Sequence, residues 1–297
     1  MITLRHHLLT IVAVFLALAA GIVLGGGPLS DVGATVATAG TDDEPAPADD
    51  RARTDFTESF VSTLGTPIVA GRLTDRSVSL VTLPGADEQV VTALADQVAA
   101  AGGTVSARYD LTDDVVDPGQ KSLVDTLGSQ LLTQQAEGVV PAEASTYDRI
   151  GQLIGLAVAS KEADGDDVTR RTRAIADAVS GAGLMDVPAD VARRAPLVLL
   201  VLGTDADDEG SDAILAGLVD GLASQAVGVV VAGTLADGGS GQLGRLRATP
   251  AATRVATLDG VDTLAGRAAT VMALGRSLTT PGGSFGASGA DGAVPLG

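Results

Sequence analysis

A chain of 297 residues with 37 acids against 19 bases carries a formal charge of −18, so nucleic acid and anionic lipid are poor partners for its body. Cysteine is absent, and the two histidines are His6 and His7. Beyond residue 7 there is thus no Ser-His-Asp triad, no Cys-His pair and no ordinary zinc site, which removes most nucleophilic and zinc chemistry.

In chain order, the first element is the uncharged run over residues 8–27. Its length approaches the roughly 20 apolar residues that cross a bilayer core, and it exceeds the about 7–15 of a signal-peptide core. Ala17 and Ala19 imitate a cleavage site, but Ile22, Val23 and Leu24 continue the run beyond them. A retained anchor is expected. Arg5, His6 and His7 precede it and no further base occurs until Arg51. By the positive-inside bias, residues 1–7 form a cytoplasmic tip and the remainder lies outside the cell membrane.

Residues 28–55 are small, acidic and Pro-bearing, without helical or strand period, and read as a flexible linker. An α/β ectodomain is expected over residues 56–280. Ser77–Leu83 reads as a strand and Pro84-Gly85 as a turn. A helix follows with Val90, Val91, Leu94 and Val98 on one face, and TVSARYDL is a second strand. Helical stripes then run through Leu123–Leu131, Ile150–Val158 and, more weakly, Val168–Val179. A second half repeats the alternation: strand Ala195–Leu202, helix from about Ser211 to Ser224, strand Ala226–Ala232, strand Thr253–Leu258, and a closing helix bearing Leu264, Val271 and Leu278. Continuous apolar strands such as LVLLV predict a mainly parallel sheet covered on both faces, built from two βαβ-like halves. Residues 281–297 are Gly-rich and read as a mobile tail.

Three motifs invite chemical readings. Asp205, Asp207 and Glu209, with Gly210, imitate the start of a calcium loop, but Ala216 stands where a bidentate Glu is required. The plainer reading is an acidic turn before a helix. Gly239–Gly244 fits G-x-G-x-x-G with Asp259 downstream, yet the first glycine does not follow its strand directly. A surface loop is the better reading. Asp259 and Asp262 could pair as carboxylates, or Asp262 could cap the closing helix. A carboxylate-pair glycosidase stays chemically open, although four Phe, two Tyr and no Trp offer few rings for sugars.

The opening MITLRHH…AVFLALAAGIVLGGGPLS and the later VATLDGVDTLAGRAATVMAL resemble the actinobacterial MctB family. Thr257, Asp259, Asp262, Thr263 and Gly266 match its pattern S-T-V-D-x-x-D-T-x-x-G, with Ala256 in place of the first serine. Phe285-Gly286 stands where the family commonly has Tyr-Gly, and the linker replaces a heptad-bearing stretch. The resemblance implies copper transport or homeostasis in the cell envelope, and the same family includes SteB-like proteins of cell separation that act beside a SteA-like membrane partner. Cu(I) favours thiolate and thioether ligands. The body offers Met185, Met272 and the carboxylates Asp205, Asp207 and Glu209 as weak candidates, so copper is expected as a transported or sensed ion rather than a tightly held cofactor. A single span cannot line a pore alone, and the sparse aromatics do not suit a porin. The combined expectation is a single-pass, non-enzymatic copper homeostasis protein that acts with the membrane, envelope proteins or further copies of itself. A SteB-like scaffold for peptidoglycan hydrolysis is the alternative.

Overall fold

The computed structural model describes residues 48–296. Arg5, His6, His7 and the expected anchor over residues 8–27 lie outside the described residues. Among those described, no helix is long and apolar enough to cross a membrane.

Helix α1 (Ala48–Val69) occupies the end of the expected linker and the start of the ectodomain. Periodicity misses it because it buries almost no stripe. Phe56 and Phe60 are 72% and 55% exposed, their rings 6.2 Å apart, and the chain enters the core only at Val69 and Leu73.

Beyond it, strands β1 (Ser77–Thr82), β2 (Thr104–Leu111), β4 (Met185–Asp186), β6 (Leu197–Val201), β7 (Gly228–Gly233), β8 (Ala256–Asp259) and β9 (Ser284–Gly286) form one sheet in the order β4-β2-β1-β6-β7-β8-β9. The two predicted halves therefore share a single sheet. Every pairing is parallel except the short edge pairing of β4 with β2. A small ribbon joins β3 (Asp166–Asp167) to β5 (Arg193–Arg194), with Arg194 paired to Asp166 and Arg193 to Asp167.

Alternate side chains of the central strands enter different cores, as the two-residue period requires. Leu197, Leu199 and Val201 join Val230 and Ala232 on the face covered by α2 (Glu88–Ala100) and α9 (Leu264–Ser277). Val198, Leu200, Val229 and Val231 point into the larger core. That core is covered by α4 (Lys121–Leu131), α5 (Thr146–Val158), α6 (Arg170–Gly181) and α7 (Glu209–Ala223). Helices α5 and α7 meet through glycines: a Cβ on Gly151 would lie 2.6 Å from Leu218 O, and one on Gly221 2.5 Å from Gln152 N.

Two sequence expectations are corrected here. The Gly-rich segment from residue 281 is not a free tail, because it supplies β9, whose Phe285 is buried against Arg276 and pairs in register with Leu258. The closing helix is capped by Thr263, whose Oγ1 accepts from Gly266 N at 3.0 Å, and not by Asp262. Asp262 accepts from Leu235 N at 2.9 Å and so ties two loops together.

Candidate functional site

The parallel strands run 2-1-6-7-8-9, so connections from neighbouring β1 and β6 leave in opposite senses. From β1 the chain turns at Pro84-Gly85 into α2; from β6 it turns at Gly203-Thr204 towards α7 on the other face. In open α/β sheets, ligands bind at such a switch point, outside the carboxyl ends of the strands. The two turns press together, with Thr204 N donating to Pro84 O at 2.9 Å. A Cβ on Gly85, whose φ is +79°, would collide with Thr204 Oγ1, and one on Gly203 with Pro84 O. Glycine at both positions is a condition of this junction.

A crevice of about 710 Å³ opens there. Its far wall comes from α3 (Asp113–Val116) and the turn at Asp117-Pro118, which follow β2. Leu83, Val116 and Leu215 give it an apolar lining; Asp113, Asp117 and Asp208 are its charged groups. Asp117 accepts from Gly119 N, and Asp208 caps α7 by accepting from the N–H and hydroxyl of Ser211. The Ser211 hydroxyl and N–H bonds hold the Asp208 carboxyl below the usual range. Gln242, at the start of α8 (Gln242–Arg247), completes the lining. It is only 6% exposed, and its Oε1 has no hydrogen-bond partner among the described residues.

Behind Gln242 lies the acidic loop that imitates calcium ligation. Asp205 accepts from Asp207 N at 2.8 Å and from Arg245 at 2.5 Å; Arg245 also binds Asp212 at 2.7 Å and meets Asp207 at 3.4 Å. Burial pushes the Asp205 carboxyl up, but the Arg245 and Asp207 bonds outweigh that and hold it below its ordinary value. Arg245 is raised by its bonds to Asp212 and Asp205. The loop is therefore an arginine-neutralised turn. Glu209 is the first residue of α7 and stands outside this knot.

The other candidate residues assemble at the opposite edge. Thr257 and Asp259 lie on β8, where Arg247 donates Nε to Thr257 Oγ1 at 3.0 Å and a terminal nitrogen to Asp259 at 2.7 Å. The same guanidinium reaches Ser288 Oγ and Phe285 O, while the second Asp259 oxygen accepts from Ser288 N at 2.9 Å. Asp259 is 1% exposed and Arg247 12%. This buried pair fastens the terminal segment to the sheet, and Thr263 with Gly266 only caps α9. Met185 is buried on β4 at one sheet edge, whereas Met272 is buried in α9, which packs on β6 through β9. They are not brought together. Among the described residues no three His, Cys, Asp or Glu side chains are grouped to hold a metal ion.

Sequence reasoning missed Gln242, Arg245 and Ser288 as partners. The signal was present: G-S-G-Q-L-G-R-L-R places Gln242, Arg245 and Arg247 on one short helix, which aims both bases at carboxylates.

Comparison with known proteins reaches nearly the whole chain. The family described as "Copper transport outer membrane protein, MctB" matches residues 1–295. "Copper transporter MctB" of Mycobacterium bovis is 28% identical over 301 residues, covering 92% of each chain. The proteins of that name from two Mycobacterium tuberculosis strains, CDC 1551 and H37Rv, align with the same identity and coverage.

Proposed function

The chain belongs to the MctB family, and on that premise we propose that it serves copper homeostasis in the cell envelope without holding copper in a dedicated site of its own. It does so as a single-pass, non-enzymatic membrane protein whose body acts with envelope partners. The observation that carries this reading is the placement of the soft donors. Met185 and Met272 are buried on separate elements, and the body has neither cysteine nor histidine to complement them. Cu(I) favours converging sulfur ligands, and Cu(II) favours imidazole or other nitrogen and oxygen donors in a tetragonal set.

Attachment to the membrane is assigned to residues 8–27. The described body is a mostly parallel sheet with helices on both faces, unlike the closed antiparallel barrels that hydrocarbon accommodates. Arg5, His6 and His7 would keep the N-terminus cytoplasmic and place the body outside. The comparisons favour copper over the cell-separation scaffold and the glycosidase.

The test is copper tolerance in a deletion strain complemented with three chains: wild type, a version lacking residues 8–27, and a Met185→Leu/Met272→Leu double variant. Wild type and the double variant should restore growth in copper, and the anchorless chain should not. Failure of a folded double variant, or rescue by the anchorless chain, would reject the reading.

A further inference from the structure

Near the antiparallel β4–β2 edge of the sheet, α6 and the loop from Val187 to Val191 wall a cavity of about 330 Å³, which Tyr109 of β2 and Ala157 of α5 also line. That volume lies at the low end of the roughly 300–1,000 Å³ of small-molecule sites, so it suits a compact ligand. Val168, Ala176, Val187 and Val191 give it apolar walls. The start of α6 takes no part, because the Thr169 and Thr172 side chains already close its capping box.

Three polar groups of this cavity are uncommitted. Tyr109 is 1% exposed, yet its hydroxyl makes no hydrogen bond among the described residues. Side-chain atoms there that are both sealed from solvent and unpartnered are Tyr147 Oη, Arg149 Nε and Gln242 Oε1. The Tyr109 oxygen is not one of them, so the sliver of this side chain that stays accessible includes its hydroxyl, at the cavity it lines. Burial pushes the phenol up to about 12, against lowering by Arg194 and Arg173, so at neutral pH it carries a proton to donate. Arg173 gives one terminal nitrogen to Val191 O at 2.6 Å and forms no ion pair among the described residues. Arg194, by contrast, is bound to Asp166 and Leu156 O. Asp177 lies one turn beyond Arg173 on α6, with no hydrogen bond or ion pair among the described residues. Side chains four apart on a helix are neighbours and commonly pair, but these two line one cavity with their charges unjoined. A simple cation would meet Arg173 and a phenolic proton, and a simple anion would meet Asp177. A molecule bearing both charges a short distance apart satisfies all three groups.

We propose that this cavity binds a small aliphatic α-amino acid as its zwitterion: the carboxylate on Arg173 and the Tyr109 hydroxyl, the ammonium on Asp177, and the side chain against the valines. The site does not depend on the copper reading, because no sulfur donor lines it. Copper tolerance and amino-acid binding are therefore separable.

The test is calorimetric titration of the full-length protein in detergent with L-leucine, 4-methylpentanoate and 3-methylbutylamine, which share a branched stem and differ in their charged ends. Leucine should bind saturably at one site, 4-methylpentanoate about two- to tenfold more weakly for want of the Asp177 contact, and the amine not measurably. Tyr109→Phe should weaken leucine about two- to tenfold through the lost hydrogen bond. It should leave the melting temperature unchanged, since the hydroxyl bonds no protein group. Asp177→Asn should erase the preference for leucine over 4-methylpentanoate. Arg173→Gln should weaken both carboxylates at least about tenfold. Arg173 also holds Val191 O, so the Tyr109 and Asp177 variants carry the test if that loop loosens. Asp96→Asn, an exposed acid on α2, should change nothing. Absence of saturable leucine binding, amine binding as tight as leucine, full affinity in Tyr109→Phe, or equal weakening by Asp96→Asn would overturn the proposal, the last by showing diffuse attraction to an acidic surface.

Discussion

Replacing Asp259 by alanine removes the carboxylate paired with Arg247, whose side chain is 12% exposed in the intact β8–β9 edge. Arg247 would keep its bonds to Thr257 Oγ1, Ser288 Oγ and Phe285 O, but no negative charge. Ser288 N would lose its acceptor at the same time. Breaking a buried ion pair from one side costs about 3–5 kcal/mol, a large share of the roughly 5–15 kcal/mol that stabilises a domain. At about 2–4 °C per kcal/mol for a body of this size, the melting temperature should fall by about 6–20 °C. Asp259→Leu combined with Arg247→Met should recover part of that loss, because neither charge then has to be desolvated. Unfolding followed by far-ultraviolet circular dichroism, thermally and in urea, measures both variants. A loss below about 1 kcal/mol for Asp259→Ala would refute the argument, since the cost of an unpaired buried guanidinium would then be met by its neutral acceptors alone.

Gly221→Ala reverses an ordinary rule. In most helix interiors the change gains up to about 1 kcal/mol, but here the new Cβ would lie 2.5 Å from Gln152 N and meet α5 backbone. Urea unfolding should show a net loss of about 1–3 kcal/mol from overpacking, and a gain would contradict the helix contact. Burial pushes the Tyr109 phenol up to about 12, against weaker lowering by Arg194 and Arg173. The folded state favours neutral tyrosine, so this contribution is intact below the ordinary phenol value of about 10 and is lost as pH rises towards about 12. With no Trp and only Tyr147 as a second phenol, phenolate absorbance should report late titration accompanied by alkaline unfolding. A Tyr109 titration at the ordinary value in the folded protein would refute its burial.

Where a segment's period matched its burial, the sequence was readable. SVSLVT, LVLLV and GVVVAG are strands because both of their faces are covered, and the Val91, Leu94 and Val98 stripe is the buried side of α2. Helix α1 escaped notice because its apolar residues face outward, and β9 because a three-residue strand among glycines has no period to detect. The Asp259 motif was visible as a pattern, but its role depends on Arg247 and Ser288, which only the fold brings alongside. The crevice was the least legible feature. It arises from strand order, and nothing in the local composition of Leu83–Gly85 or Gly203–Thr204 announces that those turns are neighbours.

The most direct test of the copper account is a competition titration of the full-length protein against a Cu(I) chelator, repeated with Cu(II). The account predicts no stoichiometric high-affinity binding of either ion, and no change on Met185→Leu/Met272→Leu. Tight one-to-one binding abolished by that double substitution would contradict it, because two methionines placed on separate elements would then have to converge on one ion.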